Sequence, residues 1–500
     1  MIQLSEGEYN SKVVGGKAAN ISKMLAMGLN VPLAFAIPTD HTFFKDFANG
    51  EKFETGETFY TQLLSHVRYL AHKTNTTWNS SYGDPLIVSV RSGAPISMPG
   101  MMDTILNVGL TKSNINRFVE SRGATRGFAL DCYRRLIQMY GVTVKGVDPT
   151  AFSTVYEASK TFHLNELNDK AYERMVEMFE DIYQQETGED FPDDPNIQLL
   201  ESCNAVFRSW FSEKAVSYRK IEGIKDNLGT AVTVQQMVFG NLDRSATGVA
   251  FTHNPNTGEK GIYGDYLAGA QGEDVVSGAH KVFPINEMLK HPDFSSASKT
   301  LQANMGKLLA KEKDILDIEF TIERGELYLL QYRVAKRSQR AEIRNLFDMV
   351  KGGEITSVSA TERFMGLLPK PEVTEEFSDE HLVYVGKGIG ATDGIVMGRI
   401  AVGHEQADEF AEEKVPYIYV ASETAPEDSM QMKNSVGILT ALGGKLSHAA
   451  VVARGWNKSC VVSLDGLEIL EDNSGCTIHG ATYLNGQIIK INGASGEVWA

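Results

Sequence analysis

Residues 443 to 454 read GGKLSHAAVVAR. Here a single histidine, His448, stands between a glycine pair, Gly443 and Gly444, and a run of small residues that reads as the start of a helix. A buried structural histidine has no need of such a setting. A histidine that carries a dianionic phosphate does, because unpaired amides at a helix N-terminus attract anions and glycines let the backbone approach them closely. Ser447 is placed as the N-cap of that helix. Imidazole also suits the chemistry: neutral near pH 7 it attacks phosphorus, and the phosphoramidate it forms is labile enough to pass the group on.

A second constellation lies in DIEFTIERGELYLLQYR, which reads as two strands around the turn Glu323-Arg324-Gly325. Period-two spacing aims Asp317 and Glu319 at one face, and does the same for Gln331 and Arg333. Such a face is either an exposed polar surface or a ligand site, since burying it without a ligand is costly. Glu319 and Gln331 offer the oxygen ligands that magnesium prefers, and Arg333 can meet phosphate oxygens with paired hydrogen bonds. Asp317 is expected as a ligand or as the group that orients one. Lys17 follows two glycines ahead of a helical stretch, and Arg91 leaves a strand into a loop rich in Gly and Pro. Taken singly, each reads as a solvated surface charge.

The elements that must position these residues follow from periodicity. VVGGKAANISKMLAMGLNVPLAFAI reads as glycine turn, helix and strand, with Ile21, Met24 and Leu25 at helical spacing and Gly28 as the stop. Ile87 to Val90 is a short strand that opens into the loop Ser92 to Met102. Residues 110 to 225 are expected to be largely helical, with Met175, Met178, Phe179, Ile182 and Tyr183 as one core stripe. From Thr230 the texture turns to strands and glycine turns. Residues 335 to 380 mix short helical patterns with proline and charge, as in a mobile connector. Residues 381 to 500 alternate glycine-bounded strands with one clear helix, beginning near Ser447.

The whole chain sets bounds. Five hundred residues exceed one ordinary core, so two to four domains are expected. No apolar run approaches a membrane span, and the opening MIQLSEGEYNSK lacks a basic start with an apolar core, so a cytoplasmic location is expected. Cys132, Cys203, Cys460 and Cys476 form no CxxC pair and read as reduced packing residues. A net charge of -16 repels polyanions, which argues against general nucleic-acid binding and leaves phosphate to a few placed cations and amides.

Several long stretches, in order, resemble the pyruvate, phosphate dikinase and phosphoenolpyruvate synthase family: GGKAANISKM, VSVRSGAPISMPGMMDTILNVGL, MVFGNLDRSATGVAFTHNPNTGEKGIYGDYL, AQGEDVVSG, the hairpin above and GGKLSHAAVVARG. The resemblance implies a multidomain α+β and α/β architecture. An ATP-grasp-type nucleotide domain (1–334, with 110–225 its helical part) and a helical hinge (335–380) would precede a swivelling phosphohistidine domain (381–500). It implies ATP contacts from Lys17, Arg91, Ser92, Gly93, Met98, Gly100, Met101, Asp317, Glu319, Gln331 and Arg333, magnesium on Glu319 and Gln331, and His448 as phosphocarrier. Arg454 would brace the phosphate or cap a carboxylate. Gln271, Glu273 and Asp274 would line the cleft or form a charged turn.

The chain departs from the family pattern in three places. His253 stands where the family usually has arginine, and Leu446 where plant and many bacterial dikinases have a regulatory threonine. The sequence also stops at INGASGEVWA, where the family continues into a TIM barrel for pyruvate or phosphoenolpyruvate. The implied activity is therefore a phosphotransferase with paired acceptors. It cleaves ATP to AMP, phosphorylates its own His448, gives the γ-phosphoryl to orthophosphate or water, and passes the group to pyruvate or another acceptor on a separate barrel subunit. The alternatives are transfer to a non-pyruvate small molecule, as in related antibiotic phosphotransferases, and a non-catalytic nucleotide-binding regulator.

Overall fold

The computed structural model describes residues 1–39, 57–96, 98, 102, 104–162, 168–276, 282–365 and 382–500. Their contacts divide the chain into two compact units: Met1–Val238 with Tyr328–Gln331, and Phe239–Leu327 with Tyr332–Ala500. Residues 239–327 thus group with the C-terminal segment, a division that does not follow the boundaries at 334 and 381 expected from the sequence. The reason is local to the second unit, where Leu446 joins an apolar cluster with Val249, Phe251, Val275, Ile315 and Ala335.

The first unit is built on an antiparallel sheet of β1 (Ile2–Gln3), β2 (Ala34–Ile37), β3 (Val88–Gly93), β4 (Thr104–Val108) and β5 (Ala231–Gln236), in the order β1-β2-β5-β3-β4. Because β5 inserts between β2 and β3, the residues between β4 and β5 leave the sheet. As expected, they are mainly helical, running from Ile115–Arg122 to Glu213–Glu222. Thr125, Asn168 and Ser212 cap three of these helices, and Gly123, Gly188 and Gly223 end helices in the left-handed conformation. Of the expected stripe, Met175, Phe179 and Tyr183 are buried, whereas Met178 is 38% exposed and Val176 takes the inner position.

The glycine break expected ahead of Lys17 is a kink within the helix Ser11–Ala26, at Gly15 (φ 78, ψ 161). Only glycine fits there, because a Cβ would sit 1.7 Å from the Gly93 carbonyl oxygen. Next to it, Gly16 N–H donates to the Ala94 carbonyl at 3.0 Å.

The second unit contains two sheets of five and eight strands and a smaller one of three. The first is antiparallel between β6 (Ala246–His253), β7 (Lys260–Ala268) and β8 (Phe283–Pro284), and on its other side between β6 and β9 (Leu316–Glu323). Beyond β9 lies β10 (Glu326–Val334), joined to it by the turn Arg324-Gly325, both at positive φ as the tightest hairpins require. The helix Gln339–Lys351, expected as part of a mobile connector, is packed. It buries Ala341 and Leu346, and Arg337 ahead of it pairs with Asp314 at 2.8 Å and with Glu342. Residues 366–381, the rest of that stretch, lie outside the described residues.

In the eight-stranded sheet, Ile395–Val402, Tyr417–Ala421, Gly437–Thr440 and Ser459–Val462 run parallel, and helices cross between them. Besides the expected helix, His448–Trp456, there are two that the sequence reading omitted: His404–Glu412 and Ser429–Asn434. The first buries only Ala407 and Phe410, and the second has six residues, too few for a periodic signal. All four cysteines are buried and free, as expected. Among the described residues no helix is long and apolar enough to cross a membrane.

Gly15→Ala should lower stability by about 3 kcal/mol or more, because the backbone must shift to clear the Gly93 carbonyl. Urea denaturation of wild type and variant checks this, and coincident curves would refute the close-approach argument.

Candidate active site

In the first unit the Gly15 kink brings Lys17 beside β3: its Cβ lies 3.8 Å from the point a Gly93 Cβ would occupy. Arg91 is two residues before Gly93 on the same strand, so both point to one face, and Lys17 and Arg91 are gathered there. Gln235 accepts from Arg91 Nη1 at 3.2 Å and itself donates to the Pro32 carbonyl at 3.1 Å, which fixes the guanidinium. Ser92 and Met98 are buried, and Gly93 N–H donates to Thr230 Oγ1 at 3.3 Å. Gly100 and Met101 lie outside the described residues. Gln331 groups by its contacts with this first unit.

Asp317, Glu319 and Arg333 belong to the second unit. Arg333 Nε donates to both Asp317 oxygens, at 2.9 and 2.8 Å, and its two terminal nitrogens make no hydrogen bond among the described residues. The Asp317 carboxylate holds the guanidinium above its ordinary value while burial raises the Asp317 carboxyl; the contact orients Arg333 and leaves its outer edge for another acceptor. A cavity of about 30 Å³, the room of roughly one water, is bounded by Asp317, Glu319, Arg333, Lys336, Leu446 and Arg454. Lys336 escaped the sequence reading because AKRSQR looks like any charged linker.

His448 is the first residue of its helix, and Val451 N–H to Ser447 carbonyl, at 3.0 Å, is the first bond of the turn. Ser447 takes the N-cap position but its side chain makes no capping bond. Its Oγ packs toward Gly443, where a Cβ would lie 3.0 Å away, and Gly443 itself sits at φ 112. Both Ser447 Oγ and His448 Nε2 are buried without a partner. Burial pushes the imidazole down to about 4, against an opposite pull from Asp428 and Glu427, so the ring is neutral at physiological pH. Asp428 is fixed by His404 Nε2 at 2.6 Å, Tyr419 hydroxyl at 2.7 Å and Ala425 N–H at 2.7 Å.

Arg454 is 2% exposed. Its Nη2 donates to the Lys445 carbonyl, while Nε and Nη1 are buried without partners, so it caps no carboxylate by hydrogen bond. Burial lowers it to about 10, which still leaves it charged at pH 7. Gly444 lies at the same loop, beside Val282. His253 is buried at the end of β6 with Nδ1 3.0 Å from Thr252 Oγ1, and burial keeps it neutral, so it adds no cation. Asp274 accepts from Gln271 N–H at 2.9 Å, which ties that acidic stretch into a turn. Among the described residues no three His, Cys, Asp or Glu cluster to hold a metal ion.

Residues 57–313 match the family model of the pyruvate phosphate dikinase AMP/ATP-binding domain, and residues 414–496 that of the PEP-utilising enzyme mobile domain. The chain belongs to the pyruvate, phosphate dikinase family of PEP-utilising enzymes. Among its relatives, the chloroplastic pyruvate, phosphate dikinase of Flaveria pringlei is 38% identical over 508 residues, covering 99% of this chain and 52% of the relative. The pyruvate, phosphate dikinase of Giardia intestinalis is 38% identical over 509 residues, covering 99% and 57%. That of Clostridium symbiosum is 38% identical over 507 residues, with the same coverage. The chain thus spans about half the length of the curated relatives it matches.

Two outcomes follow from the geometry. Asp317→Ala strands Arg333 beside the cavity and should cost about 3 kcal/mol in urea denaturation, with Asp317→Asn costing less. For His448 the folded value of about 4 lies below the ordinary 6.5. The unfolded chain therefore binds the proton first as pH falls. Above about pH 6.5 the group contributes nothing, and between 6.5 and 4 it destabilises the fold by up to about 3 kcal/mol. His448→Gln should remove that part of the acid sensitivity, and a histidine ring that titrates near 6.5 by NMR would contradict the burial.

Proposed function

We propose that this chain is a dikinase-type phosphotransferase that cleaves ATP to AMP and carries the β-phosphoryl on His448. The observation that carries this reading is an imidazole kept neutral by burial at the N-terminus of a nine-residue helix, in a segment matching the mobile domain. We read β1–β5 and β6–β10 as the two sheets of an ATP-grasp-type nucleotide domain, with 110–225 as its helical part and 381–500 as the swivelling domain. Lys17, Arg91 and the free edge of Arg333 take triphosphate charge. Glu319 and Gln331 offer oxygens to magnesium, which tolerates few protein ligands when phosphates complete its shell. When bound, the ion neutralises charge that develops on the phosphates.

The imidazole lone pair attacks phosphorus and AMP leaves. Orthophosphate or water takes the γ-phosphoryl, and the histidine keeps the β-phosphoryl. A cavity of about 30 Å³ beside Arg333 holds no phosphate group, so the histidine segment must draw back from β6 and β9 for nucleotide to enter. Withdrawal also frees His448 Nε2, and the hinge for it lies within 335–380. The acceptor is pyruvate, which the relatives' name carries, or another small molecule, bound on a barrel outside these residues.

The buried, unpartnered Nε2 favours one competitor, a nucleotide-binding regulator that does not turn over. ATP labelled at the β-phosphate decides between the two. The proposed enzyme yields label on the peptide holding His448 together with AMP. Label is lost in His448→Ala, and labelling falls about a hundredfold or more in Arg333→Met. Tight ATP binding with no label on that peptide would leave only the regulator.

A further inference from the structure

A second and larger cavity, of about 530 Å³, lies in the second unit; it shares Phe251, Leu446 and Arg454 with the smaller one but is not lined by Asp317, Glu319 or Arg333. Its volume falls inside the roughly 300–1,000 Å³ range of small-molecule sites. One wall is the loop after β6 and the start of β7, including Asn256 and Ile262; the other is the segment leading into the histidine helix, with Lys445, together with Arg454 on that helix. Phe251 and Tyr263 contribute apolar faces.

Three polar atoms around it are buried and unsatisfied: Arg454 Nε and Nη1, and Asn256 Oδ1. Unpaired donors on a fully buried guanidinium are costly, and an acceptor from outside the chain would satisfy them. Asp265, also on the wall, could compete as that acceptor. Burial pushes its carboxyl up, and Arg454 Nε and Nη1 remain without a partner beside it, so the wall sets two cations against one carboxylate.

We propose that this cavity binds a small organic anion, a compact apolar or aromatic body bearing one phosphate or carboxylate that Arg454 and Lys445 receive. His448 does not line the cavity, so the site is separate from the phosphocarrier. Because its walls come from the β6–β7 loop and from the segment ahead of the histidine, an occupant ties the two together and holds the segment docked. The proposal does not depend on catalysis.

The probes are phenyl phosphate and benzoate, titrated calorimetrically into the full chain with and without a saturating non-hydrolysable ATP analogue. One-to-one binding is expected for at least one probe in the nucleotide-free chain, and the probe that binds names the anionic group. Because nucleotide entry draws the histidine segment back, the saturating analogue should weaken that binding. Ile262→Trp, which fills the cavity, should weaken that binding tenfold or more. Lys445→Ala, at an exposed residue, should weaken it at least threefold and keeps the test valid if the tryptophan variant does not fold. The proposal is overturned if neither probe binds the nucleotide-free chain, or if Lys445→Ala binds as the wild type does.

Discussion

Leu446 in its apolar cluster is the contact on which the arrangement of the second unit depends. It is 7% exposed, and it sits two residues before His448. Burying a leucine side chain is worth about 1.5–3 kcal/mol. That is a substantial share of the few kcal/mol by which a folded domain outlasts its unfolded chain. Burial likewise keeps the nearby His448 imidazole unprotonated at neutral pH. His448 Nε2 is at the same time buried without a partner.

The cations are organised on a similar principle. Arg333 spends one nitrogen on Asp317 and keeps its outer edge, and Gln235 steadies Arg91 without neutralising it. A chain with a net charge of -16 holds phosphate only where such local groups are oriented in advance, because its overall field repels anions. Pre-orientation also spares the ordering entropy that a free arginine would lose on binding.

Much of this was legible in the residue order. Period-two spacing in DIEFTIE and LLQYR marked a strand pair with its polar face, and glycine-bounded β-branched runs marked the parallel strands after residue 395. The histidine helix was legible because its small residues follow a glycine pair. Contacts between distant parts of the chain were not. Nothing in KLSH says that Leu446 meets Val249 and Phe251, almost two hundred residues earlier, and the docking therefore stayed hidden. Lys336 and Asp265 were lost for the same reason, since each borders its cavity only together with residues distant in the sequence. Ser447 was placed correctly by pattern, but its rotamer is set by Gly443, which no capping preference encodes.

The four buried thiols carry a practical consequence. Burial pushes Cys460 up to about 12 and Cys476 up to about 11, and raises Cys203 as well, so thiolate is scarce at neutral pH. Maleimide reagents should therefore find the native chain a silent background. A cysteine pair introduced at exposed positions on the β6–β7 loop and the histidine helix could carry a donor and an acceptor dye, so that any separation of the two would be read one molecule at a time.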